Sequence, residues 1–168
     1  QFTLNTPIGS TKIKLPVLGF HCIQNALAAS AASYAAGADL DDIAAGLSDF
    51  TQPSMRMEFT VTESGYGILN DCYNASPASM KAAIQTLSSI CGYNRRIAIL
   101  GDMGELGDYA KESHNEIGVS LMENKIDMLI AVGVLSKDIV SGAEKSGFPA
   151  EMIKWCPDSD TAASLIDG

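Results

Sequence analysis

The chain has 168 residues, 46% of them apolar and 18% charged, with a formal net charge of −9 and a mean hydropathy of +0.11. That composition excludes disorder and supports a buried core, in one ordinary domain or in a small domain joined to part of another. Through Pro53 two basic side chains stand against four acidic ones, and beyond it nine against sixteen. No basic half exists, which excludes nucleic acid and anionic membrane surfaces as partners.

No stretch approaches the ~18 apolar residues of a membrane span, and no signal peptide is visible. Cys22, Cys72, Cys91 and Cys156 form no CxxC pair and there are only two histidines. A structural zinc site and a disulfide framework are therefore not expected, and free thiols in a reducing cytoplasm are the simpler reading. The first residue is Gln1 rather than Met, and the chain is expected to be a piece of a longer protein.

In chain order, 2–6 and 11–17 flank a Pro7-Ile8-Gly9-Ser10 turn and predict a hairpin. Residues 20–36 hold seven alanines from Ala26 onward and predict a helix closed by Gly37. Asp39 is placed to cap a second helix with Leu40, Ile43 and Leu47 on one face. The segment 48–54, with Pro53, reads as a hinge or domain boundary. Strands are expected at 57–62 and 66–69, then a helix at 77–90 with Ser76 as cap and Pro77 at its first position. Strand 97–100, helix 108–123, strand 128–132, helix 136–146, strand 152–155 and a last helix from about Asp160 follow. This is an α/β pattern: a doubly wound, mainly parallel sheet with flanking helices, preceded by a helical and hairpin segment.

Four groups of residues could carry chemistry. His21, Gln24 and Asn25 share one helical face, where an amide could read an adenine edge or simply satisfy loose backbone groups of the first turn. Arg56, between two methionines, could clamp a phosphate or extend its head to water. Asp71, Tyr73 and Asn74 follow a strand and precede a helix N-terminus. There a carboxylate can accept from a ribose diol, or an Asx-type turn can close the join. Asp102 stands in Gly101-Asp102-Met103-Gly104-Glu105-Leu106-Gly107, whose glycine spacing is not that of a Rossmann fingerprint. The acids from Asp102 to Glu116 fit no EF-hand loop and read as solvated, so no metal site is expected. His114 reads as a packing or capping residue. No GxxxxGK[ST] occurs, so this chain cannot cradle ATP phosphates in the P-loop manner.

Taken together, the blocks 19–29, Arg56-Met57-Glu58, 71–80 and 100–107 with His114 resemble the Mur ligases. Within that family the third and fourth blocks are similar to the branch that adds D-alanyl-D-alanine to a UDP-N-acetylmuramoyl-tripeptide. The resemblance implies a cytoplasmic, ATP- and Mg²⁺-dependent amide-bond-forming ligase of peptidoglycan precursor synthesis, monomeric at full length and working through an acyl phosphate. It implies that 1–53 is the end of a central P-loop ATPase domain and 54–168 most of a Rossmann-like C-terminal domain, with a Lys-Gly-Ser-Arg segment to follow. On this reading His21, Asn25, Arg56 and Asp71 meet the nucleotide, while Tyr73, Asn74 and Asp102 line the cleft for nucleotide and acceptor. Catalytic groups and Mg²⁺ ligands lie upstream, and the chain alone is inactive. Cys22, Met55 and Ser76 depart from the family's usual Asn, Gly and Asn. Two alternatives stay open: another member of the superfamily, such as a single-amino-acid-adding ligase or folylpolyglutamate synthase, or a non-catalytic α/β binding module.

Overall fold

The computed structural model describes residues 1–165. The chain falls into two compact units, Gln1–Tyr73 and Asn74–Gly168.

In the first unit β1 (Phe2–Thr6) and β2 (Gly9–Ile13) form an antiparallel hairpin. The second strand stops four residues short of the expected position 17, just before Leu15-Pro16, because proline cannot donate to a ladder. Helix α1 (Phe20–Ala35) ends where Gly37 takes φ +96°, a conformation costly for any residue with a Cβ. Helix α2 (Leu40–Ser48) is capped by Asp39, whose carboxylate accepts the N–H of Asp41 and of Asp42. Leu4, Ile13 and Ile43 form the buried centre, with Phe2, Tyr34 and Leu47 packed around it. Strands β3 (Glu58–Val61) and β4 (Gly67–Asn70) pair only with each other, antiparallel, Glu58 opposite Asn70.

The second unit opens with α3 (Pro77–Ser89). Ser76 and Ser79 form a reciprocal capping box and Pro77 occupies the first turn, as the sequence implies. Strands β5 (Ile97–Leu100), β6 (Met128–Val132) and β7 (Ile153–Cys156) form a parallel sheet in that order. Helices α4 (Ala110–Glu123) and α5 (Lys137–Lys145) are the crossovers, and a single 3₁₀ turn, Gly107–Tyr109, delays α4 beyond the expected position 108. Crossovers that progress in one direction with constant hand put both helices on one face. There Ala98, Leu129 and Ala131 pack with Met80, Ile84, Ile117, Leu121 and Ile139. Alternation sends Ile130 and Cys156 to the opposite face, under Ala162 of α6 (Ser159–Ser164). Asp158 caps α6, and its hydrogen bonds from Thr161 hold its carboxyl below the usual range. The remainder of the last expected helix, 166–168, lies outside the described residues.

Helices α4 and α5 approach through two glycines. A Cβ on Gly118 would lie 2.1 Å from the Ile139 carbonyl oxygen, and one on Gly142 would lie 2.1 Å from that of Asn115. The intruding atoms are backbone on both sides, so no rotamer change relieves the clash. Gly118→Ala is expected to destabilise the chain by about 1–3 kcal/mol despite alanine's better helix propensity. Gly142→Ala should do the same, and the double variant should cost less than the two together because one helix shift relieves both. Urea titration followed by circular dichroism checks this; wild-type stability in Gly118→Ala would contradict the close approach.

Candidate functional site

Three segments of the first unit carry the candidate residues. The first turn of α1 supplies His21 and Cys22, whose Sγ lies 3.3 Å from His21 Nε2. The segment before β3 supplies Arg56, and the residues after β4 supply Asp71 and Tyr73. Two backbone-directed hydrogen bonds join the last two segments beyond the end of the ladder. Asp71 Oδ1 accepts the Met57 N–H at 3.0 Å, and the Tyr73 N–H donates to the Met55 carbonyl at 3.1 Å. The Arg56 guanidinium then lies 4.2 Å from the centroid of the Tyr73 ring, a cation–π contact between two exposed side chains. The Gln52 amide donates to the Arg56 carbonyl, and Glu58 accepts the Met55 N–H, so the Arg56 backbone is held from both sides.

Met55 and Met57 have φ of +61° and +50°. A non-glycine residue there is strained, and two such residues flanking one arginine turn its side chain out of the strand direction. Asp71 is half-buried and uses one carboxylate oxygen on Met57. Its Oδ2 takes no hydrogen bond among the described residues. Burial first, and the Asp71 charge second, push the Cys22 thiol above its ordinary pKa. Asn25 lies one turn along α1 from His21 and is exposed. A groove of about 530 Å³ lies alongside, lined by Leu15, Val17, Gln52, Met57 and Phe59 among others. It includes none of His21, Arg56, Asp71 or Tyr73, so the constellation is an open surface of polar groups.

The structure thus joins Arg56, Asp71 and Tyr73 through the 55–57 and 71–73 segments, while His21 and Asn25 stand on α1, where the described contact of His21 is with Cys22. The sequence had flagged Cys22 only as a departure. It carried no signal for the Arg56–Tyr73 contact or the left-handed methionines, because Met-Arg-Met predicts neither.

The remaining two candidates belong to the second unit. Asn74 is exposed and its Oδ1 accepts the N–H of Ala75, one residue on, rather than the N–H two residues on that an Asx-type turn uses. Asp102, at the C-terminal end of β5, uses both oxygens on the turn after β6: Oδ2 accepts from Val134 N–H at 3.1 Å and Oδ1 from Ser136 N–H at 2.7 Å. A Cβ on Gly133 would fall 2.5 Å from that carboxylate. Asp102 therefore caps α5 and locks two loops together. His114 is fully buried; its Nε2 accepts the Met103 N–H at 2.9 Å and its Nδ1 faces the Ala110 carbonyl. Among the described residues no group of three His, Cys, Asp or Glu side chains could hold a metal ion, and no helix is long and apolar enough to cross a membrane.

Removing the Asp71 charge lowers the cost of the Cys22 thiolate, so Asp71→Asn should speed alkylation of Cys22 at pH 8 by roughly twofold or more. Cys91, exposed and in the other unit, serves as the internal control whose rate should not change, whereas Cys72 adjoins the substituted residue. Peptide mapping after timed iodoacetamide treatment measures all three, and an unchanged Cys22 rate would contradict its contact with Asp71.

Residues 55–167 match the family model described as Mur ligase, glutamate ligase domain. The UDP-N-acetylmuramoyl-tripeptide–D-alanyl-D-alanine ligase of Bacillus subtilis is 46% identical over 131 residues, 78% of this chain and 29% of the relative. The enzyme of the same name from Escherichia coli is 40% identical over 139 residues, 83% of this chain and 30% of the relative. The chain therefore spans about three-tenths of the length of these relatives. A crystal structure of MurF from Acinetobacter baumannii superposes with a TM-score of 0.85 at 34% identity, covering 99% of this chain and 35% of the other. MurF from Thermotoga maritima, solved in complex with ADP, shares the fold, with a TM-score of 0.76 at 22% identity over 98% of this chain and 36% of that one.

Proposed function

The chain belongs to the Mur ligase family, and from that premise we propose that it is part of an ATP-dependent ligase joining D-alanyl-D-alanine to a UDP-N-acetylmuramoyl-tripeptide in cytoplasmic peptidoglycan precursor synthesis. The observation that carries this reading is the identity to the Bacillus and Escherichia ligases, which runs through most of the chain. The geometry of the first unit supports it at residue level.

ATP is the substrate that supplies an activated phosphoryl group to the tripeptide's terminal carboxyl. Asp71 has a carboxylate oxygen without a hydrogen-bond partner among the described residues, which suits the paired hydroxyls of a ribose, and its other oxygen keeps it from swinging away. Arg56, turned outward and steadied on the Tyr73 ring, offers a delocalised cation to phosphate oxygens. His21 and Asn25 present ring nitrogen and amide groups that can meet a base edge. In the second unit the exposed Asn74 offers amide N–H groups to an acceptor substrate, whereas Asp102 holds together the loops after β5 and β6. The start of the family match at residue 55 supports a domain boundary at Pro53, with 1–53 the end of an ATPase domain and 54–168 the C-terminal domain. Mg²⁺ ligands and the phosphate cradle belong, on this reading, to residues outside this chain, and the 168-residue chain by itself turns over no ATP.

In the complete ligase, Asp71→Ala is expected to raise KM for ATP by about ten- to a hundredfold, the range for losing a charge-assisted hydrogen bond and its positioning. KM for D-alanyl-D-alanine should move far less. A steady-state assay with all three substrates measures this, and D-alanyl-D-alanine set against single amino acids tests the acceptor. Unchanged ATP kinetics would remove Asp71 from the nucleotide site, and preference for a single amino acid would overturn the assigned reaction.

A further inference from the structure

Four non-glycine residues have positive φ: Met55, Met57, Glu105 and Lys125. Lys125 follows the C-terminus of α4, where a left-handed residue is ordinary. The two methionines set the direction of Arg56. Glu105, at φ +61°, remains without a structural reason. Its loop has glycines at 104 and 107, yet the strain at this position falls on a glutamate.

The loop around it is held on both sides. Before it, Asp102 is bonded to two backbone N–H groups of the turn after β6, and Met103 is completely buried with its N–H on the neutral nitrogen of His114. After it, Leu106 packs on the core of the second unit and its carbonyl accepts the Tyr109 N–H. Glu105 lies between these anchors, exposed, and its carboxylate forms no ion pair or hydrogen bond among the described residues. The loop leaves the C-terminal end of a parallel strand, the edge at which open α/β sheets take ligands. Of the other carboxylates in the loops that leave this edge, those of Asp102 and Asp158 accept backbone N–H groups at helix starts, and Asp108 stands exposed in the 3₁₀ turn with ordinary backbone geometry.

We infer that Glu105 is a binding residue for a primary ammonium group of a peptide substrate. This rests on the ligase reading and deepens it. Nucleotide, phosphate and terminal carboxylates are anions and would be repelled by a fixed, unpaired glutamate. Two cations remain among the reactants. One is the amine of D-alanyl-D-alanine; the other is the side-chain amine of the tripeptide's third residue, where that is a diamino acid, as the diaminopimelate in the name of an Acinetobacter baumannii relative indicates. The strain is retained because a left-handed backbone between two anchored segments sets where the Glu105 side chain leaves the loop, which reduces the backbone ordering that remains to be done on binding.

The test uses the complete ligase with Glu105→Gln and Glu105→Gly, measuring KM and kcat for ATP, UDP-tripeptide and D-alanyl-D-alanine together with the thermal midpoint. Glu105→Gln removes the charge and keeps the shape. Glu105→Gly also relieves the left-handed strain, so its midpoint should equal or exceed that of the wild type. The expected result is a rise of about tenfold or more in KM for one peptide substrate in both variants, with KM for ATP unchanged. A rise confined to D-alanyl-D-alanine assigns its amine, and one confined to the UDP-tripeptide assigns the third-residue amine. If all three KM values stay at wild-type level, or only that for ATP rises, Glu105 is not an ammonium site. Wild-type enzyme that joins no dipeptide sinks the ligase reading and this inference with it.

Discussion

The hydrogen bond from the Met57 N–H to Asp71 Oδ1 is the constraint on which the site depends. Met57 is buried, and its N–H sits just beyond the last paired residues of the β3–β4 ladder. Without a partner that donor would cost on the order of 1–3 kcal/mol. A carboxylate supplies it, and the same side chain thereby becomes fixed in direction. Around this bond the backbone tolerates two left-handed methionines, Arg56 turns outward, and Tyr73 lies beneath its guanidinium. Local strain, a backbone-bound carboxylate and an exposed cation are thus one arrangement rather than three independent features.

Asp71 and Asp102 occupy similar places in the sequence, each following a β-strand, and they have different uses. Asp71 gives one oxygen to the backbone, and the other has no hydrogen-bond partner among the described residues. Asp102 gives both, at the N-terminus of α5, where the helix dipole and two free N–H groups reward a negative charge. The second unit has therefore filled from within the kind of position where other α/β folds receive phosphate.

Close contacts reinforce the buried apolar core of this unit. Gly118 and Gly142 let α4 and α5 touch backbone to backbone, and Trp155 on β7 donates its indole N–H to the Gly133 carbonyl while Lys137 lies over its ring. The turns after β5 and β6 are joined by Asp102, and the β6 turn is joined to β7 by Trp155, so the loops at this edge move together. A loop anchored in that way can hold a strained glutamate that a free loop would relax.

Much of this was legible in the residues. The apolar runs 97–100 and 128–132, Gly37 after the alanine helix, Ser76-Pro77 and Asp39 announced their elements because period, cap and turn chemistry act over a few positions in the chain. The resemblance to the Mur ligases rested on the same short blocks, and so did the nomination of Asp71 and Arg56. Other features depended on residues distant in sequence. Asp102 could have been a ligand or a cap until Val134 and Ser136 arrived beside it, 32 and 34 positions later. His114 needed Met103 to show its role, Gly118 needed Ile139, and Arg56 needed Tyr73. A sequence states which side chains can donate, accept or turn a corner. Which of those capacities is used within the protein, and which is left for a ligand, is decided when tertiary folding brings the partner within 3 Å.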